Sequence, residues 1–199
     1  MDAIYGVLLA AGESRRMGFP KPLLKIGEET YLDHLAAAML AAVDRLIVVV
    51  GAHFERVRAA APVDPRVTVV ANREFKRGQL SSLKVAIRSA DDATAIMVHL
   101  IDHPTVAAPT FSDVVEHYRH TQKPIVIARY KGRRGHPVIF DHSIFAELLA
   151  APEDQGARSV VNAQPDRVAY CDVADEGVVL DLDTPEDVAR AGLAAPLKS

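Results

Sequence analysis

Ile4-Tyr5-Gly6-Val7-Leu8-Leu9-Ala10-Ala11-Gly12-Glu13-Ser14-Arg15-Arg16-Met17-Gly18-Phe19-Pro20-Lys21 is the stretch that decides the fold. Its opening, Ile4 to Ala10, is almost continuously apolar, the pattern of a parallel strand covered on both faces. Small residues follow, and then a glycine-bounded loop carrying Arg15, Arg16 and Lys21. Small side chains let the backbone approach a ligand closely, and exposed N–H groups can cradle phosphate oxygens. Arginine adds a planar fork for phosphate and lysine a compact charge. Together they suit a triphosphate. Two familiar phosphate loops are excluded. Gly12 and Gly18 are too far apart for G-x-x-x-x-G-K-[ST], and Pro22 follows Lys21. The dinucleotide pattern G-x-G-x-x-G is absent.

The same grammar repeats along the chain. Leu46 to Val50, Val67 to Val70 and Ala95 to Leu100 are further short apolar runs that read as buried strands. Between them lie helical segments with recognisable starts. Thr30 is an N-cap with Asp33 at N3, and Leu35, Ala38 and Met39 continue an apolar face. Ser81 is read as the cap of a helix over Ser82 to Ala90, striped by Leu83, Ala86, Ile87 and Ala90. Strand-helix alternation of this kind predicts an α/β fold, a three-layer α/β/α sandwich around a mostly parallel, Rossmann-like sheet.

The second half is less regular. Ile125 to Arg129 and Val138 to Phe140 read as strands separated by a basic loop, Lys131 to Gly135. Ser143 to Ala150 reads as a helix, a polar loop runs through Gly156, and Val178 to Leu182 reads as a last strand. Thr184-Pro185-Glu186-Asp187 then opens a helix, with Thr at N-cap, Pro at N1 and Asp at N3. No repeat or linker interrupts residues 1–199, so one domain is expected.

Composition narrows the function classes. The 199 residues are 49% hydrophobic and 25% charged, the balance of a globular protein with a substantial core. A net charge of −3 gives no reason to expect nucleic acid as the main partner. One cysteine, Cys171, allows neither an intrachain disulfide nor a thiolate zinc site, and it reads as a small apolar residue in a strand. Met1 to Tyr5 lack the pattern of a secretory leader, and no apolar run reaches membrane-spanning length. A soluble protein of the reducing cytoplasm is expected.

At this point a resemblance enters. Leu9, Ala10, Ala11, Gly12, Ser14, Arg16, Met17, Gly18, Lys21, Leu23 and Leu24 match the LAAGxSxRMGxxKxLL signature. The segment therefore resembles the nucleotidyltransferases related to molybdenum cofactor cytidylyltransferase and guanylyltransferase. The resemblance implies a fold of the nucleotide-diphospho-sugar transferase, GT-A-like kind. It implies a nucleotide-binding half over about residues 1–105 and an acceptor half over about 106–199. Leu9, Ala10, Ala11, Gly12, Ser14, Arg15, Arg16 and Lys21 would line the nucleotide, with Arg16 and Lys21 acting on its triphosphate. Arg15 falls in a variable slot of the pattern. Ala11, where the guanylyl branch carries Gly, favours the cytidylyl branch. Lys25-Ile26-Gly27 and Leu32-Asp33-His34 are also similar to the methylerythritol-phosphate cytidylyltransferases.

Asp102, in Asp102-His103-Pro104 after an apolar run, matches a D-x-P element whose carboxylate holds Mg²⁺ in these relatives. As a residue beyond the carboxyl end of a strand it is also well placed for a bound metal. Asp181-Leu182-Asp183-Thr184-Pro185-Glu186-Asp187 resembles the closing D-I-D-T-P-E-D motif, and offers Asp183 or Asp181 as the second metal ligand. Asn72, Gly78, Ser81 and Ser82 correspond to positions that contact base and ribose, although Ser81 also reads as a simple cap. Gly135-His136-Pro137-Val138 resembles the G-H-P-V element of the cytidylyl branch, and Gly156-Ala157-Arg158 its G-A-R. His103, His136, Pro137 and Arg158 are the acceptor-side candidates, with His103 and His136 equally readable as turn histidines.

The implied activity is Mg²⁺-dependent transfer of CMP from CTP to the phosphate of molybdopterin, with release of pyrophosphate. GMP transfer, another phosphorylated acceptor, or non-catalytic binding and delivery of the cofactor are the alternatives. A molybdoenzyme or its maturation chaperone is the implied protein partner; nucleic acid and membrane are not.

Overall fold

The continuous apolarity of Ile4–Ala10 (β1) follows from its place inside a seven-stranded sheet, where every one of its residues is buried. The computed structural model describes residues 3–194. Met1 and Asp2 of the segment read for a leader, and the last five residues of the expected domain, lie outside them. A small hairpin of Lys25–Ile26 (β2) and Glu29–Thr30 (β3) follows the cationic loop and leads into Tyr31–Leu40 (α1). Arg45–Val50 (β4), Phe54–Ala59 (α2), Val67–Ala71 (β5), Gln79–Arg88 (α3) and Ala95–Leu100 (β6) complete the first half. Ala108–Thr121 (α4), Ile125–Tyr130 (β7), Arg133–Asp141 (β8), Phe145–Ala150 (α5), Arg158–Ala163 (α6), Val168–Asp172 (β9) and Pro185–Arg190 (α7) form the second.

The sheet order is β5-β4-β1-β6-β8-β7-β9. The pairs β5–β4, β4–β1, β1–β6 and β7–β9 are parallel, and only β8 runs against its neighbours β6 and β7. The side-chain period of two divides each strand between two cores. Ile4, Leu8 and Ala10 of β1 join Leu46, Val48 and Val50 of β4 in one apolar cluster, with Leu32, Leu35 and Met39 of α1 and Phe111 of α4. Tyr5, Val7 and Leu9 join Ile47 and Val49 in the other, with Leu83, Ala86 and Ile87 of α3 and Leu148 of α5. This is a three-layer α/β/α sandwich. Thr30 and Thr184 each form a capping box, with Asp33 and Asp187 respectively, as their sequences require.

The structure departs from expectation in three places. Helix α3 starts at Gln79 with Gly78 as N-cap, so Ser81 lies inside its first turn. Gly78 has φ 106°, a backbone conformation open to glycine and costly for other residues, and this sets the start earlier than a serine cap would. Lys131 and Gly132, both at positive φ, make a tight turn, so that Arg133 to Gly135 belong to β8 rather than to a loop. Val178 to Leu182 is not a strand. Glu176–Val179 forms a single 3-10 turn fixed by Asp175, whose side chain accepts from Gly177 N–H. Val178 and Val179 are buried without pairing, since an apolar run can fill a core from a turn as well as from a ladder.

That turn sits against the start of β8. A Cβ on Gly135 would stand 2.0 Å from the Val178 carbonyl oxygen, a backbone atom that cannot move aside. Gly135→Ala is expected to cost about 1–3 kcal/mol through forced displacement and to lower Tm by several degrees. Thermal denaturation at neutral pH measures it, and an unchanged Tm refutes the close packing of turn and strand.

Candidate active site

Strands β1 and β6 lie side by side, and the loops beyond their carboxyl ends frame a cavity of about 390 Å³. Leu9 to Gly12 and Leu100 to Asp102 form its strand side, while Phe75, Gly78, Gln79 and Ser82 close another wall. The cationic loop supplies Ser14, Arg15, Arg16 and Lys21. Backbone bonds fix this frame: Ile101 N–H donates to Leu9 O at 3.2 Å and Ala52 N–H to Ala11 O at 3.1 Å. The loop folds on Ser14, which adopts φ 52°. Its carbonyl accepts from Met17 and Gly18 N–H, and its hydroxyl accepts from Lys21 N–H at 3.0 Å.

The charged groups converge at one point. Lys21 Nζ donates to Asp183 Oδ1 at 2.5 Å and stands 3.8 Å from Asp102 Oδ2. Arg16 donates to Asp183 Oδ2 at 2.6 Å. The Lys21 side chain is only 10% exposed, whereas that of Arg16 is 68% exposed. Arg15 pairs with Glu13 at 2.7 Å on the rim. Burial pushes the Asp183 carboxyl upward, but the hydrogen bond and charge of Lys21, with those of Arg16, outweigh it and hold the group below the ordinary aspartate range. Leu182 N–H donates to Asp102 O at 2.7 Å, which sets Asp183 beside Asp102. Asp102 Oδ1 is buried and has no hydrogen-bond partner in the protein. A buried carboxylate oxygen without a donor is costly, and a cation is the natural group to satisfy it. With Asp183 it offers the hard oxygen donors that a divalent ion of the Mg²⁺ or Mn²⁺ type takes.

A second cavity, about 440 Å³, continues from the first across Leu9, Gln79 and Leu100, which line both. Leu80, Leu83, Val98, Ile127, Val138 and Phe140 contribute apolar walls. Arg134, His136, Arg158 and Asn162 supply polar groups, and Glu153, Asp154 and Gln155 add two carboxylates and an amide. Arg134 donates to Asn162 Oδ1 at 3.0 Å and its guanidinium lies over the Tyr170 ring. Burial, with the nearby His103, pushes the His136 pKa down to about 3, so its imidazole is neutral at physiological pH.

Leu9, Ala10, Ala11, Gly12, Ser14, Arg15, Arg16, Lys21, Gly78, Ser82, Asp102 and Asp183 all border the first cavity, and His136 and Arg158 the second. The remaining candidates fall elsewhere. Asn72 and Ser81 are buried and bonded to one another: Asn72 Nδ2 donates to the Ser81 and Ser82 hydroxyls at 2.9 Å each. They brace the wall rather than form it, because a buried amide must spend its donors inside the protein. His103 lines neither cavity, its Nδ1 facing Gly177 O at 3.3 Å and its Nε2 standing 3.9 Å from Asp102 Oδ1, and Pro137, next to His136 in sequence, is buried on neither cavity wall. Asp181 is exposed and borders neither cavity, because the segment is not a strand and no alternation aligns it with Asp183. Phe75, Gln79, Ile101 and Arg134 escaped the sequence reading. For Arg134, the basic run beside the G-H-P element was the available signal.

Comparison with known proteins places the chain among nucleotidyltransferases. Residues 6–168 match the family model described as the MobA-like NTP transferase domain. Molybdenum cofactor cytidylyltransferase of Escherichia coli (strain K12) is 24% identical over 96% of both chains. The purine catabolism protein PucB of Bacillus subtilis (strain 168) is 27% identical over 92% of this chain and 93% of its own. Among solved structures, Rv0371c of Mycobacterium tuberculosis H37Rv is 36% identical, with a TM-score of 0.80 over 94% of this chain and 96% of the other. The same protein has also been solved in complex with manganese, at 34% identity and a TM-score of 0.77 over the same shares.

Asp183→Asn removes the nearer of the two carboxylates beside the buried Lys21 ammonium and leaves Asp102 at 3.8 Å. At pH 7 it is expected to lower stability by roughly 1–3 kcal/mol, less than a fully buried pair would cost. The depressed pKa means that the carboxylate stabilises the fold fully above about pH 4 and progressively less as pH falls through its folded value. Urea unfolding of both proteins at pH 7 and pH 3 should show the difference shrinking at pH 3. A difference that grows on acidification contradicts the ion pair.

Proposed function

We propose that this chain, which belongs to the MobA-like NTP transferase family, transfers CMP from CTP to the phosphate of a molybdopterin-type acceptor, with Mg²⁺ as the metal. The observation that carries the proposal is the continuity of two chemically different cavities. One concentrates cations and carboxylates under a glycine-rich loop; the other sets broad apolar walls beside polar and charged side chains, among them Arg134, His136, Glu153, Asp154 and Arg158. A triphosphate suits the first and a flat, ring-containing acceptor the second. The similarity to a molybdenum cofactor cytidylyltransferase supports an acceptor of this class, and Ala11 at the signature position favours cytidine.

In this mechanism the backbone from Ala11 to Ser14 receives the phosphates, and Arg16 and Lys21 offset their charge. Asp102 and Asp183 would hold the metal, which supplies further charge neutralisation at the phosphate oxygens. Support for a divalent ion comes from the orphaned Asp102 Oδ1 and from the manganese complex of the relative. An acceptor phosphate oxygen, entering from the second cavity, attacks the α-phosphorus in line. The new P–O bond forms as the bond from the α-phosphorus to the bridging oxygen breaks, and pyrophosphate departs with that electron pair. Positioning and electrostatics supply the acceleration, and no covalent enzyme intermediate is needed. Arg134, His136 and Arg158 orient the acceptor, the neutral His136 as a hydrogen-bonding group.

Pyrophosphate release, measured with each NTP in the presence and absence of molybdenum-loaded molybdopterin, tests the assignment. CTP with the acceptor and Mg²⁺ is expected to give the fastest release; turnover confined to GTP, or to a sugar phosphate acceptor, refutes it. Lys21→Ala should lower kcat by about 100- to 1000-fold. Asp102→Ala should abolish metal-dependent release while Tm stays within a few degrees of the parent. Near-normal kcat in either variant removes that residue from the mechanism.

A further inference from the structure

One aromatic at the nucleotide cavity is not used by the mechanism. Phe75 is half-buried, lines the cavity, and joins neither apolar core cluster among the described residues. Aromatic side chains bury large apolar areas when they serve a core, so one held at a cavity wall outside both cores invites another function. It follows β5, on the far side of β4 and β1 from Asp102, which follows β6. The turn folds back so that the ring lies over Gly51, which follows β4, while Asp102 follows β6 on the other side of β1. The ionic cluster occupies the β6 side. The Phe75 side is bounded by uncharged groups, Gly78, Gln79 and Ser82.

The ring is also held in place. Asn72 Oδ1 accepts from Glu74 N–H at 2.9 Å on one side of the turn, and Ser81 Oγ donates to Gly78 O at 2.7 Å on the other. Gly78 N–H closes the turn on Phe75 O at 3.2 Å. Beneath it lies Gly51, where an added Cβ would stand 2.5 Å from both Cβ and Cγ of Phe75. Arg77 in the same turn is tied to Glu153 at 2.5 Å, across on the second cavity. A buried amide and Ser81 thus fix the backbone of the turn, and the missing side chain of Gly51 gives the ring its seat.

We infer that Phe75 is the platform on which the nucleobase stacks, a contact with the flat face of any base rather than a reader of its edge. The inference rests on the reading that the first cavity takes the NTP. A stacked base orients the ribose and the α-phosphate without touching the reacting atoms. Its loss therefore weakens nucleotide binding and spares the chemical step.

The chain contains no tryptophan, so Phe75→Trp introduces a single fluorophore at the platform. CTP with Mg²⁺ is expected to quench its emission saturably, whereas inorganic pyrophosphate, which meets the cations without a base, should leave it unchanged. Phe75→Ala and Phe75→Leu should each raise KM for CTP about tenfold or more, with kcat within about threefold. Phe75→Trp should keep KM near the parent value. The KM increase should be similar for every NTP that turns over, since all bases have a π-face. A KM effect confined to one base, or equal quenching by pyrophosphate, overturns the platform. Parent-like KM in Phe75→Ala with normal pyrophosphate release overturns it and leaves the transferase assignment standing. Saturable quenching by CTP in a protein that releases no pyrophosphate supports the platform and overturns the CMP-transfer proposal.

Discussion

Lys21 and Asp183 stand 162 positions apart in the chain and 2.5 Å apart in the molecule, and the site is organised around their contact. A nearly buried ammonium is tolerated only beside a compensating charge. Asp183 supplies it, and the segment carrying Asp183 is delivered by a backbone bond from Leu182 to Asp102 and anchored by the Thr184–Asp187 cap. One ion pair therefore ties the loop after the first strand, the carboxyl end of β6 and the start of the last helix. Displacing any of the three would weaken the charge balance around Lys21, which has Asp183 at 2.5 Å and Asp102 at 3.8 Å.

The sheet explains why the reactive groups gather there. β5, β4, β1 and β6 are parallel, so the loops beyond their carboxyl ends emerge on one edge. Asp102, the cationic loop and the Phe75 turn all come from that edge. β8 reverses direction and enters the sheet next to β6, bringing Gly135 to Val138 beside the first cavity. The antiparallel strand thus builds the second chamber against the first. Their chemistries differ because their neighbours differ: charge is balanced locally around Asp183, while burial keeps His136 uncharged.

Much of this was legible in the residues. The apolar run of β1, its glycine-bounded cationic loop and the strand-helix alternation fixed the fold class, because periodicity and turn chemistry are local properties. The capping boxes at Thr30 and Thr184 are equally local, and the structure has both. Asn72 and Ser81 were different. Their residue types allowed either ligand contact or internal bonding, and only the close approach of β5's exit to the first turn of α3 turned them inward. Phe75 carried no signal at all, since an isolated aromatic after a strand reads as core.

The sequence by itself determined which residues carry charge and the strand-helix alternation of the first half, down to the loop that holds Arg16 and Lys21. It favoured Asp183 over Asp181 only narrowly, because an apolar run ending in two alternating carboxylates reads as a strand that turns both to one side. The tertiary structure separates the two. Val178 and Val179 are buried in a 3-10 turn instead of a ladder, which leaves Asp181 in solvent and Asp183 against Lys21. Strand alternation is a rule about pairing with a neighbour, and whether a neighbour exists is decided by the rest of the chain.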